Sequence, residues 1–157
     1  CAMKHLEYPS VLDLVKNRSE DHYYYFANVL APESTGLVLL SDDARWTSRM
    51  KRKLLKKPCV YHVRSREGFS EDQFQQLKKA WLSPSEIQTG QIVDILKQDE
   101  RTVLLKTSQP RVEKIMDIFS PVDKAIERLH LQQLGRLSLG NLIEGDYLEL
   151  SENEVKV

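Results

Sequence analysis

The chain is 157 residues long, 41% hydrophobic and 29% charged, the make-up of a soluble globular protein able to bury one core. Six Gly and six Pro exclude a collagenous or low-complexity chain, no apolar run approaches the roughly 20 residues that cross a bilayer, and the start carries no signal-peptide pattern. Lys plus Arg and Asp plus Glu balance at 23 each, so any electrostatic function must come from how the charges are distributed.

Ser10 can cap a short helix with Val11, Leu14 and Val15 on one side. His22 to Leu30, dense in aromatic and aliphatic residues, reads as a strand, Pro32 to Gly36 as a turn, and Leu37 to Leu40 as a second strand. Ser41, Asp42 and Asp43 then open a helix that runs to about Lys57 and is stopped by Pro58. Trp46, Met50 and Leu54 at i, i+4 and i+8 give it a narrow apolar stripe.

Cys59 to Val63 is a strand candidate. Ser70 with Gln73 makes a capping box for a helix carrying Phe74, Leu77 and Trp81, with Phe69 as a staple to Phe74, and Ser83 to Glu86 spells another. A β-hairpin over 91–97 and 102–107, turning at Asp99-Glu100-Arg101, is favoured over a helix from Pro84 to Leu96, because Gly90 weakens that helix. Pro110 and Ser120-Pro121 start two helices, so 108–136 is expected as a helical pair packed on the sheet, with Ile126 and Leu129 facing inward and Gly135 at the C-terminus. Tyr147 to Leu150 closes the pattern as a last strand.

The expected class is α+β, a single domain over 1–157, built on a curved mixed or antiparallel sheet or a small β-barrel with flanking helices. The opening Cys1-Ala2-Met3 also reads as a cloning remnant, which would make the chain a piece of a larger protein. Two cysteines, Cys1 and Cys59, are too few for a disulfide scaffold. They point to a reducing intracellular setting, cytoplasmic or nuclear, in which the sequon at Asn17 goes unused.

The strongest functional signal is the stretch from Ala44 to Pro58, which holds seven cations (Arg45, Arg49, Lys51, Arg52, Lys53, Lys56 and Lys57) and no acid. On a helix, Arg45, Arg49, Arg52 and Lys56 fall at i, i+4, i+7 and i+11 and form one line, with Lys57 at its end. Arg64 and Arg66 are placed to extend it beyond the next strand. Phosphates neutralised by such a line release counterions, which gives sequence-independent affinity for nucleic acid. The reading is therefore a nucleic-acid-binding module, with RNA or a single strand favoured.

Tyr23, Tyr24, Tyr25 and Tyr61 are stacking candidates, although packing is the commoner use of tyrosines in strands. The leading alternative is a non-catalytic interaction or scaffold domain whose basic helix meets an acidic protein surface, or is simply solvated. Lys51 to Lys53 with Lys56 and Lys57 also resembles a nuclear-localisation cluster. No enzyme signature is present: His5, His22, His62 and His130 are scattered, and no phosphate loop or nucleophile elbow occurs. No metal and no cofactor are expected. A metal-dependent nuclease would use Asp146 with Glu154-Val155-Lys156, provided these lie on neighbouring strands.

Overall fold

The computed structural model describes residues 11–15, 23–30, 34–82, 92–107, 119, 122, 126–151 and 153–155. In chain order these form α1 (Val11–Val15), β1 (Tyr25–Phe26), β2 (Ser34–Gly36), β3 (Leu40–Ser41), α2 (Ala44–Leu54), β4 (Cys59–Ser65), α3 (Glu71–Leu82), β5 (Ile92–Lys97), β6 (Thr102–Thr107), β7 (Ile126–Leu134) and β8 (Leu137–Ser138). The class is α+β, as the sequence indicates. Among the described residues no helix is long and apolar enough to cross a membrane.

β4 is the spine of the sheet because its side chains alternate cleanly. Cys59, Tyr61, Val63 and Ser65 are buried, whereas Val60, His62 and Arg64 face outward. β6 repeats the pattern, burying Val103, Leu105 and Thr107. The order is β2-β7-β4-β6-β5, with β8 paired to β7. β2 runs parallel to β7 and the other neighbours are antiparallel. This is an open mixed sheet with β2 and β5 at its edges in the described residues, so the barrel alternative falls.

The inward face meets Phe74 and Leu77 of α3, together with Phe69, Phe119 and Val122. Each fully buried Leu, Ile, Val or Phe contributes about 1.5–3 kcal/mol, so this layer dominates stability. α3 is held where it starts by its capping box. Ser70 Oγ accepts from the N–H of Gln73 at 3.3 Å, and Gln73 Oε1 accepts from the N–H of Ser70 at 3.1 Å. Phe69 stacks at a tilt on Phe119, with ring centroids 6.0 Å apart. Its N–H also donates to the Glu100 carbonyl at 2.6 Å, which ties the helix entry to the β5–β6 turn.

That turn forms where the sequence puts it. Asp99 Oδ1 accepts from the N–H groups of Arg101 at 2.8 Å and Thr102 at 2.7 Å, an Asx turn that closes the hairpin. The N–H of Arg101, with Thr102 behind it, holds the Asp99 carboxyl below its ordinary range.

Several expectations need correction. Ile126 to Leu134 is a strand, not the second half of a helical pair. The inward residues are Ile126, Leu129, Leu131 and Leu134, and two register shifts in the β4–β7 pairing explain their spacing. Val60 faces Gln133 while Tyr61 faces Leu131, and Arg64 faces Arg128 while Ser65 faces Ile126. Gln132 and Glu127 are therefore bulged, and each extra residue stretches an alternation of two into a spacing of three, which imitates a helix. Gly135, at φ 61, serves the tight β7–β8 turn instead of ending a helix.

The expected strand over 23–30 shrinks to Tyr25–Phe26, the one over 37–40 shifts to Leu40–Ser41, and Tyr147 to Leu150 is not a strand. Part of the expected turn instead forms β2, where Gly36 takes φ 120 against the backbone of Leu131. The capping box over 83–86, Gly90 and the expected helix start at Pro110 lie outside the described residues.

Candidate nucleic-acid interface

α2 sits on a two-stranded ribbon made by β1 and β3, apart from the main sheet in pairing. The ribbon is pinned by Asn28, whose Nδ2 donates to the Leu37 carbonyl at 2.9 Å and whose Oδ1 accepts from the Leu39 N–H at 2.8 Å. The N-cap of α2 is Asp43 rather than Ser41. Asp43 Oδ1 accepts from the N–H groups of Arg45 at 2.8 Å and Trp46 at 2.9 Å, while Ser41 Oγ accepts from the Asp43 N–H at 3.1 Å. The Trp46 N–H, with smaller help from Arg45 and Arg49, holds the Asp43 carboxyl below the usual carboxylate range.

Thr47, Met50 and Leu54 are the buried residues of α2, with Trp46 half-buried beside them. At 100° per residue, Arg45, Arg49 and Arg52 fall within an arc of about 60° opposite that stripe. α2 ends at Leu54 rather than running to Lys57 as expected, so Lys56 lies in the turn beyond the helix. All four cations are exposed, and the three arginines span about 10 Å along the axis. Lys51 and Lys53 flank the strip, and Lys57 is half-buried just past the helix end. Among the described residues no ion pair within 4 Å joins Arg52, Lys56 or Lys57 to a carboxylate, so their charge is offered to solvent.

Arg64 and Arg66 stand elsewhere. Arg64 is five residues along β4 from Cys59, about 17 Å at strand rise, so it does not adjoin Lys56 and Lys57. Its Nε lies 3.6 Å from Glu127 Oε2, an exposed pair that removes part of its free charge. Arg66 is exposed in the bend after β4.

Pairing of distant strands also creates a cluster that the sequence does not announce. His62 and His130 are register partners on the outward face, with ring centroids 6.4 Å apart. Thr35 Oγ1 and His130 Nδ1 hydrogen-bond at 2.8 Å, and Arg128 donates to Thr35 Oγ1 at 3.3 Å and to Glu144 Oε2 at 2.9 Å. Desolvation lowers the pKa of both histidines, and Arg128 lowers that of His130 further.

The tyrosines divide. Tyr61 is fully buried, whereas Tyr23 and Tyr25 are exposed. Cys59 is buried too, and burial pushes its thiol up to about 12, so it is an inert core residue. The nuclease pattern loses its premise: Asp146 and Glu154 lie in exposed non-strand segments, and Glu154 Oε2 is occupied by the N–H and hydroxyl of Ser151.

No protein-family model matches the chain. It is similar to the ribosomal small subunit pseudouridine synthase A of Vibrio vulnificus, 26% identical over 134 residues, which covers 83% of this chain and 58% of that protein. It is also similar to an uncharacterized RNA pseudouridine synthase of Aquifex aeolicus, 27% identical over 151 residues and covering 96% of this chain and 62% of that one. A solved structure described as a pseudouridylate synthase superposes with a TM-score of 0.64 at 24% identity, over 83% of this chain and 57% of that one. The chain thus spans about three-fifths of the length of these relatives, and the superposition establishes a shared α+β fold.

Proposed function

We propose that the chain binds RNA, with unpaired segments favoured over duplex, and that the exposed strip of α2 takes the phosphates. The observation that carries this reading is the placement of Arg45, Arg49 and Arg52 on one exposed arc of α2, with Lys56 in the turn that follows and Asp43 and Ser41 confined to the capped end. The helix fixes the backbone beneath the arginines, so side-chain ordering but no backbone ordering there offsets the counterion release. The relatives, named for pseudouridine synthesis in RNA and in the ribosomal small subunit, support RNA over other anions. A partner of that kind implies an intracellular chain. Lys57 stands at the end of the strip, while Arg64 and Arg66 form a separate, weaker contact.

Titrating labelled single-stranded and duplex RNA and DNA against the protein at low salt tests the reading. Micromolar or tighter binding to single-stranded RNA is expected, and no binding to any of the four would overturn it. The names of the relatives favour a second reading, in which bound RNA has uridine converted to pseudouridine. Carbodiimide-dependent primer-extension stops after incubation with ribosomal RNA would establish it, and their absence would leave binding alone.

A further inference from the structure

α2 offers charge but no flat apolar surface, and the ribbon beneath it supplies one. Exposure alternates along Tyr23, Tyr24, Tyr25 and Phe26, so Tyr23 and Tyr25 both present their rings to solvent at the start of β1. Tyr23 is 83% exposed and Tyr25 44%. Tyr23 lies two residues before the start of β1 at Tyr25, so their Cα atoms are at most about 7 Å apart. Tyr25 pairs with Ser41, four residues before Arg45, and β1 packs directly on α2.

We infer that Tyr23 and Tyr25 form a stacking platform for unpaired bases of the RNA whose phosphates lie along α2. This inference rests on the RNA reading above and assigns it a base-contacting element. The charges beside the platform fit it. Asp42 and Asp43 lie between Tyr25 and Arg45, and the Asp43 carboxylate is committed to capping the helix. That end of α2 therefore draws phosphate less strongly than the line from Arg49 to Lys56, yet it accepts an uncharged ring. Duplex RNA hides its base faces, so only an unpaired segment can use both parts at once.

The test uses the full chain and a labelled oligouridine 12-mer, with an RNA hairpin of equal length as control. Replacing both rings (Tyr23→Ala with Tyr25→Ala) is expected to weaken 12-mer binding by about tenfold or more, leaving the salt slope unchanged. The paired Phe variants should bind within about twofold of the parent, since stacking needs the ring and not the hydroxyl. Unaltered thermal melting of the Ala pair excludes loss of fold. Ala variants that bind the 12-mer as the parent does, or Phe variants that lose binding equally, would overturn the platform while leaving α2 binding intact. Failure of the parent chain to bind either RNA would instead overturn the reading beneath it.

Discussion

Tyr61→Phe should stabilise this protein, although it deletes a hydroxyl from the middle of the sheet. Tyr61 lies on the inward face of β4 between Leu105 and Leu131, and it is fully buried. Its hydroxyl finds no hydrogen-bond partner among the described residues, and burial raises its pKa, as expected of a group whose charged form is excluded from water. Desolvating an unpaired hydroxyl costs about 1–3 kcal/mol in mutational data. Phenylalanine keeps the ring and its apolar burial. It forfeits the contacts of one oxygen, each of about 0.1–0.2 kcal/mol, so up to about 1 kcal/mol in all. The net gain is about 1 kcal/mol, or a Tm rise of about 2–4 °C for a chain of this size. Urea unfolding of both proteins reads it as a midpoint shifted upward at constant slope. A loss of 1 kcal/mol or more would refute the reasoning, because it would mean the hydroxyl is satisfied in solution by a bound water.

Gly36→Ala should act in the opposite sense. A Cβ there would fall on the Leu131 carbonyl oxygen and 2.8 Å from the carbonyl carbon, at φ 120. Strain and overpacking together cost about 3 kcal/mol or more, and a change under 1 kcal/mol in urea unfolding would show that β2 is not seated on β7 in solution. The His62–His130 pair predicts a pH dependence. Both pKa values lie below 6.5 in the folded chain, chiefly through desolvation, so the unfolded chain binds more protons below that pH. Stability from the pair is therefore present above pH 6.5 and is lost as pH falls through the folded values. The charged groups facing the pair are Arg64, Arg128, Glu127 and Glu144, joined as Arg64–Glu127 and Arg128–Glu144. His62→Gln with His130→Gln should flatten the urea midpoint across that window, and an unchanged slope would contradict the assignment.

What the sequence reveals here is set by how local each signal is. The Ser70–Gln73 box and the Asp99 turn each depend on residues within a few positions of one another, and both stand in the structure as spelled, whereas the helix expected to run to Lys57 ends at Leu54. β7 was misleading because Glu127 and Gln132 bulge out of register, which only the partner strand β4 can reveal. The same holds for His62 and His130, which are 68 positions apart in the chain and meet only through strand pairing. Composition also assigns Tyr23, Tyr25 and Tyr61 alike to strands. Their fates diverge because β4 is covered by α3 and Phe69, whereas β1 is an edge of a two-stranded ribbon.

The salt dependence of RNA binding tests the role of α2 most directly. Four phosphate contacts by Arg45, Arg49, Arg52 and Lys56 predict that log affinity falls with log salt at a slope of about −2.8 on single-stranded RNA. Reversing Arg49, Arg52 and Lys56 to Glu should abolish both the slope and most of the affinity while leaving the fold intact, since all three side chains are exposed. Binding that is insensitive to salt, or equally tight in the reversed variant, would contradict the assignment of this helix as the RNA contact.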